Sequence, residues 1–159
     1  NTAMSSYQTA GWKYDTIPLE MNKKELLSRE NTSSELVIYG RMPLMVSAQC
    51  IYHTMGQCKK TRSLCYLKDR YAKEFPVRTI CSECCNILYN SQPLSLIQLS
   101  KELGRLMPAA YRLHFTFETK EEVSRVIHSC MQSFFEHQTP NMTKIIGDYT
   151  NGHYKRGVE

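Results

Sequence analysis

The residues best equipped for chemistry are cysteines. Of the seven in the 159-residue chain, six fall between Cys50 and Cys85: Cys50, Cys58, Cys65, Cys81, Cys84 and Cys85. Cys81-Ser82-Glu83-Cys84 has the C-x-x-C spacing that aims two thiolates from one tight turn at a single metal centre. A second pair from elsewhere closes a four-sulfur shell. Cys50 and Cys58 bracket Gly56, whose freedom lets the intervening loop fold the two thiols together. The expected metal ligands are therefore Cys50, Cys58, Cys81 and Cys84. Cys85 adjoins Cys84, and neighbouring turn residues rarely point at one ion. Cys65 sits in Leu64-Cys65-Tyr66-Leu67 and reads as packed chain, although its distance from Cys81 is equally bridgeable. Cys130 lies in a helical apolar stripe and reads as core. Four thiolates accept zinc or an iron–sulfur cluster. Buried free thiols or disulfides are the competing readings, but clustered cysteines in a chain without secretory features point to metal or redox chemistry.

Between Cys58 and Cys81 stand Lys59, Lys60, Arg62, Lys68, Arg70, Lys73 and Arg78, against Asp69 and Glu74. This 59–78 basic patch suits a phosphate-bearing partner such as RNA, or else it is an ordinary solvated face. The whole chain carries a formal charge of +5, with 42% apolar and 22% charged residues, the balance of a folded soluble protein. No apolar run is long enough to span a bilayer and no signal peptide is visible, so a cytoplasmic location and no membrane partner are expected. Neither a Gly-x-Ser-x-Gly elbow nor a His-Glu-x-x-His helix occurs, and His53, His114, His128, His137 and His153 are scattered.

Alternating helices and strands must position these groups. Thr2 to Ala10 reads as a helix ending at Gly11, and Thr16 to Met21 as a short strand weakened by Pro18. Asn22 caps a helix over Lys23 to Arg29. Residues 31–34 form a loop. Leu36 to Tyr39 is a buried strand stopped by Gly40, and Pro43 to Ser47 is extended. Leu96, Leu99, Leu103 and Leu106 share one helical stripe that Pro108 ends. Tyr111 to Glu118 alternates as a strand. Thr119 with Glu122 is a capping box opening a helix whose stripe is Val123, Val126, Ile127, Cys130, Met131 and Phe134.

That alternation predicts parallel βα units. In such architectures the chemistry collects at strand C-terminal ends, where Glu20, Asn22, Arg41 and Glu118 fall, although capping explains some of them. Three convincing strands are too few to close an eight-stranded barrel.

Several stretches carry a family likeness. Glu35-Leu-Val-Ile-Tyr-Gly40-Arg-Met-Pro-Leu-Met-Val-Ser-Ala-Gln-Cys50 resembles the signature of the collagenase-like peptidase family. So do Leu67-Lys-Asp69-Arg70, Phe75-Pro-Val77 and Cys81-x-x-Cys84-x-Asn86-x-x-Tyr89-Asn90-Ser91. Tyr111-Arg112-Leu-His-Phe-Thr-Phe-Glu118 and Gly152-His153-Tyr-Lys-Arg156-Gly157-Val158 extend the likeness over nearly the whole chain. The resemblance implies a TIM-barrel-like domain of which this chain is the C-terminal half. It implies a protein named as a peptidase, a hydrolase, whose better-understood relatives act as hydroxylation factors on tRNA, ribosomal RNA or a quinone precursor, several through a four-cysteine iron–sulfur cluster. Where the commoner family pattern has a cysteine, this chain has Pro43.

The reading is an α/β chain, a partial TIM-barrel-like (β/α) array in residues 1–159. It carries a cysteine-rich metal-binding insertion at 41–92 and a basic tail at 138–159. Glu20, Arg41 and Glu118 are the catalytic candidates, the carboxylates for acid–base or orienting work. Arg70, Arg112, His153 and Arg156 are the substrate-binding candidates, since the guanidinium fork suits carboxylate or phosphate. The function expected is RNA modification by an iron–sulfur hydroxylation factor. A purely structural zinc module of a larger enzyme and a true metal-dependent peptidase are the alternatives. Half a barrel leaves open sheet edges, so a second copy or the missing N-terminal half is the expected partner. His153 and Arg156 are expected to fold back over the strand C-terminal ends.

Overall fold

The computed structural model describes residues 2–58, 60–61 and 63–157. Lys59 and Arg62 of the basic patch lie outside them. In chain order the elements are α1 (Thr2–Thr9), β1 (Asp15–Thr16), α2 (Lys23–Leu27), β2 (Ser34–Gly40), β3 (Pro43–Ser47), α3 (Ile51–Thr54), β4 (Leu64–Lys68), β5 (Glu74–Ile80) and β6 (Cys85–Tyr89). They continue with β7 (Leu94–Ser95), α4 (Ser100–Leu103) between single 3-10 turns, β8 (Ala110–His114), α5 (Lys120–Phe134) and α6 (Met142–Ile146). The protein is mixed α/β. Two compact units are formed, one from Asn1–Gly40 with Leu94–Glu159 and the other from Arg41–Pro93.

The first unit is built on β2, whose β-branched and aromatic centre is buried, with Ile38 at 0% exposure. β8 runs parallel to it from Glu35 to Gly40, with an irregularity between Val37 and Tyr39. On the other edge β1 pairs in parallel at Ser34 and Glu35, and β7 antiparallel at Tyr39 and Gly40. β1 stops short of the expected 16–21 strand. Ile17 N still donates to Glu35 O (2.9 Å), but Pro18 has no N–H to continue and its carbonyl accepts from Met21 N in a turn. Ile17, Leu26, Ile97, Leu103, Val126 and Met142 complete a core with almost no exposure. Truncating a side chain such as Leu103 to Ala would cost about 2–5 kcal/mol.

Three further elements differ from the sequence expectation. The leucine stripe at 96–106 is not one helix. Leu96 N donates to Ile38 O (2.9 Å), so the chain is still serving β2 where the stripe begins. It then advances as a 3-10 turn, one turn of α4 and a second 3-10 turn. The strand predicted to Glu118 ends at His114, because the Glu118 carboxylate draws Thr116 N (2.6 Å) and Phe117 N (3.1 Å) into a turn. In α5 the capping box is present, but the buried face is rotated to Val126, Ser129 and Ser133. Ser133 Oγ donates to Ile97 O (2.7 Å), which makes a hydroxyl acceptable in that position. Ile127 and Met131, assigned to the stripe, are 44% and 47% exposed.

The second unit is a four-stranded antiparallel sheet in the order β3-β6-β5-β4, with α3 following β3. Parallel βα alternation therefore does not extend through residues 41–93. Among the described residues neither sheet closes into a barrel. No helix of the described residues is long and apolar enough to cross a membrane.

Candidate metal centre

The cysteine unit is organised by two reversals. After β3 the chain enters α3, with Cys50 at its N-cap and 5% exposed. Gly56, at φ +66°, turns the chain back, with Gly56 N donating to His53 O (3.1 Å) and Gln57 N to Tyr52 O (2.8 Å). A side chain at that φ would be strained. The second reversal is the turn from Cys81 to Cys84 that joins β5 to β6, with Glu83 N donating to Ile80 O (3.2 Å) and Cys84 itself at φ +49°.

These reversals bring Cys50, Cys58 and Cys81 to the wall of one cavity of about 510 Å³, with Tyr52, Gln57, Thr61 and Ser63. The Cys81 thiol donates to Thr61 O at 2.8 Å. Cys84 is exposed on the same turn, its Sγ 4.0 Å from the Cys81 carbonyl oxygen. Among the described residues, no three His, Cys, Asp or Glu side chains converge closely enough to hold one ion. The donor chemistry fits a thiophilic metal. Cys65 stands on β4 and Cys85 is buried on β6. Cys130 is half-buried on α5, and burial pushes its thiol up from the ordinary range, which disfavours the thiolate. Thr61 and Tyr52 were missed by sequence reasoning, since no spacing rule announces a backbone acceptor or a cavity wall.

The polar candidates divide between the two units. In the cysteine unit, Arg41 Nη1 donates to the carbonyls of Asn90 (3.1 Å) and Ser91 (2.5 Å), clamping the end of β6. Arg70 lies in the β4–β5 turn, stacked over Tyr71 with its guanidinium carbon 4.7 Å from the ring centroid. In the other unit, Arg112 on β8 forms a two-pronged pair with Glu35 on β2, Nε to Oε2 at 3.0 Å and Nη2 to Oε1. Its fork is thus engaged across the sheet. Glu118 accepts from Tyr39 at 3.4 Å besides capping the 116–117 turn, so it sits beside the C-terminal end of β2. Glu20 is exposed in the turn between β1 and α2.

The basic tail is folded. Thr150 bridges Leu94, Asn151 Nδ2 donates to Ser95 O (2.9 Å), and Tyr154 is 4% exposed. Lys23 N donates to Tyr154 O (2.9 Å) at the start of α2. Gly157, at φ +77°, approaches Asn22 so closely that a Cβ would lie 2.9 Å from its Nδ2. The tail therefore packs on the β1–α2 connection that carries Glu20. His153 and Arg156 are exposed, and His153 Nδ1 bonds Gly157 O at 2.9 Å, which places a proton on Nδ1.

The collagenase-like resemblance rests on the sequence motifs alone: no protein-family model, no curated protein and no solved structure matches this chain.

Proposed function

We propose that residues 41–93 hold a thiolate-ligated metal centre, and that the chain acts as an iron–sulfur hydroxylation factor on RNA. The ligands in this reading are Cys50, Cys58, Cys81 and Cys84. The observation that carries it is the gathering of Cys50, Cys58 and Cys81 around one cavity from two separate reversals of the chain. Sulfur-bound iron would supply redox chemistry; zinc in the same place would act as a structural clamp. The partial barrel implied by the family resemblance belongs to this proposal. Its support is the parallel pairing of β1, β2 and β8.

The protein's own side chains have separable tasks. In this reading Glu118, beside the end of β2, and Glu20, in the turn after β1, accept or orient a proton. Arg156 offers a cation and His153 an imidazole on the tail that packs against the β1–α2 connection. The β4–β5 hairpin presents Lys68, Arg70 and Lys73 with Tyr66 (55% exposed) and Tyr71 (70% exposed). Cations interleaved with exposed rings suit phosphate contact and base stacking on single-stranded RNA.

Anaerobic purification with an absorbance spectrum and metal analysis tests the centre. Visible charge-transfer bands and iron with sulfide support the cluster. Zinc in stoichiometric amount supports the structural alternative, and peptide cleavage abolished by a chelator supports a peptidase. A chain that takes up no metal in any form defeats the reading.

A further inference from the structure

Away from the cysteine unit, three well-exposed aromatic side chains meet at one place. Tyr7 is 58% exposed, Trp12 67% and Tyr14 71%, and together with Asp15 they line a cavity of about 230 Å³. Scattered exposed rings are ordinary, but several sharing one recess are not.

The backbone builds the recess. At the end of α1, Ala10 N donates to Ser6 O (3.1 Å) and Gly11 adopts φ +89°. Trp12 N then returns to Tyr7 O (3.0 Å), which brings residue 12 beside residue 7. At the other end Asp15 N donates to Ser33 O (3.3 Å) and β1 joins β2, which anchors Tyr14 and Asp15 to the sheet. Asp15 adds a carboxylate. Its Oδ2 takes a bond from Arg29 (3.1 Å), while Oδ1 has no hydrogen-bond partner among the described residues.

A recess walled by three aromatic rings offers apolar contact and the electron-rich ring faces, while the Asp15 carboxylate is already paired with Arg29. Its lining residues include no cation for an anion to pair with. A bare ammonium would lose hydration without replacement bonds. An alkylated ammonium, bulky and poorly hydrated, gains from every wall. We propose that this recess binds a trimethylammonium group. Its volume is below the roughly 300–1,000 Å³ typical of pockets for whole drug-sized ligands, which suits a head group. The head group can be free, as in choline, or borne on a methylated lysine. Lys13, between Trp12 and Tyr14 in sequence, carries like charge and limits the affinity.

Trp12 is the chain's sole tryptophan, so its emission reports the site directly. The full chain is titrated with choline, with the acetylated methylamide of trimethyllysine, and with 3,3-dimethyl-1-butanol, the neutral carbon isostere of choline. A saturable emission change is expected with the cationic probes and at least fivefold weaker binding of the isostere. The ratio of the two cations assigns the source. Tyr14→Leu, at an exposed position, should weaken choline about two- to fivefold, the equivalent of one surface cation–π contact. Equal binding of the isostere, no response to either cation, or an unchanged affinity in Tyr14→Leu overturns the proposal.

Discussion

Tyr154 anchors the folded tail, and its hydroxyl makes a sharp test of how. The side chain is 4% exposed, and its Oη is buried without a hydrogen-bond partner among the described residues. A buried hydroxyl with no partner carries a desolvation cost of about 1–3 kcal/mol. Tyr154→Phe removes the oxygen and keeps the ring, so at neutral pH it should stabilise the protein by about 1 kcal/mol. For a chain of this size that raises Tm by about 2–4 °C. The pH dependence adds a second signature. Burial, the Glu102 carboxylate and Tyr111 all raise the Tyr154 phenol above its usual value. A raised folded pKa gives stability that is complete below the unfolded phenol's pKa of about 10 and is lost as pH rises through the folded value. Phenylalanine has no such loss, so its advantage over wild type should widen above pH 10. Thermal and urea melts at pH 7 and at pH 10.5 measure both effects. If Tyr154→Phe is destabilising by 1 kcal/mol or more, or its advantage shrinks in alkali, the hydroxyl has a partner and the reasoning fails.

Three more outcomes are expected. Cys58→Ser and Cys81→Ser should each abolish metal uptake after anaerobic reconstitution, whereas Cys65→Ser and Cys130→Ser should retain it; the reverse pattern for Cys58 and Cys65 reassigns the ligands. Thr119→Ala removes the acceptor for Glu122 N (3.3 Å) at the start of α5 and should cost about 1 kcal/mol by chemical denaturation, because one N-terminal N–H loses its cap. Arg70→Ala and Lys73→Ala, both in the exposed β4–β5 turn, should lower the slope of log affinity for single-stranded RNA against log salt by about 0.7 for each phosphate no longer neutralised, and unchanged slopes remove this hairpin from the RNA reading.

The parts legible in the sequence are those where a local pattern is also the tertiary answer. The Asn22 cap and the Thr119 capping box follow from side chains that satisfy orphan N–H groups within one turn. β2 follows from an uninterrupted apolar run that is buried over its whole centre. Tertiary partners hide the rest. Ser129 and Ser133 read as polar in α5 until Ile97 O and Ser100 supply the bonds that let Ser133 be buried. The leucine stripe of 96–106 is periodic, yet its first residue is already bonded to β2 and the spacing is taken up by 3-10 turns. β4, β5 and β6 escape because their residues carry charges, cysteines and Pro76, which draw attention to chemistry and away from pairing. In the candidate centre the cysteine spacing points to a shared site, but the bond from Cys81 to Thr61 O depends on a loop path that no motif encodes.

The division of the chain has a consequence for the order of events during synthesis. Residues 41–93 are continuous, and every strand pair of their sheet joins partners within that span. Their strands can all pair once the segment has left the ribosome. The other unit cannot finish. β2 waits for β8, and the first turn of α2 waits for Tyr154 and Gly157, more than a hundred residues later. Such long closures are slow relative to local pairing. The cysteine unit can thus complete its sheet while β2 still has an open edge.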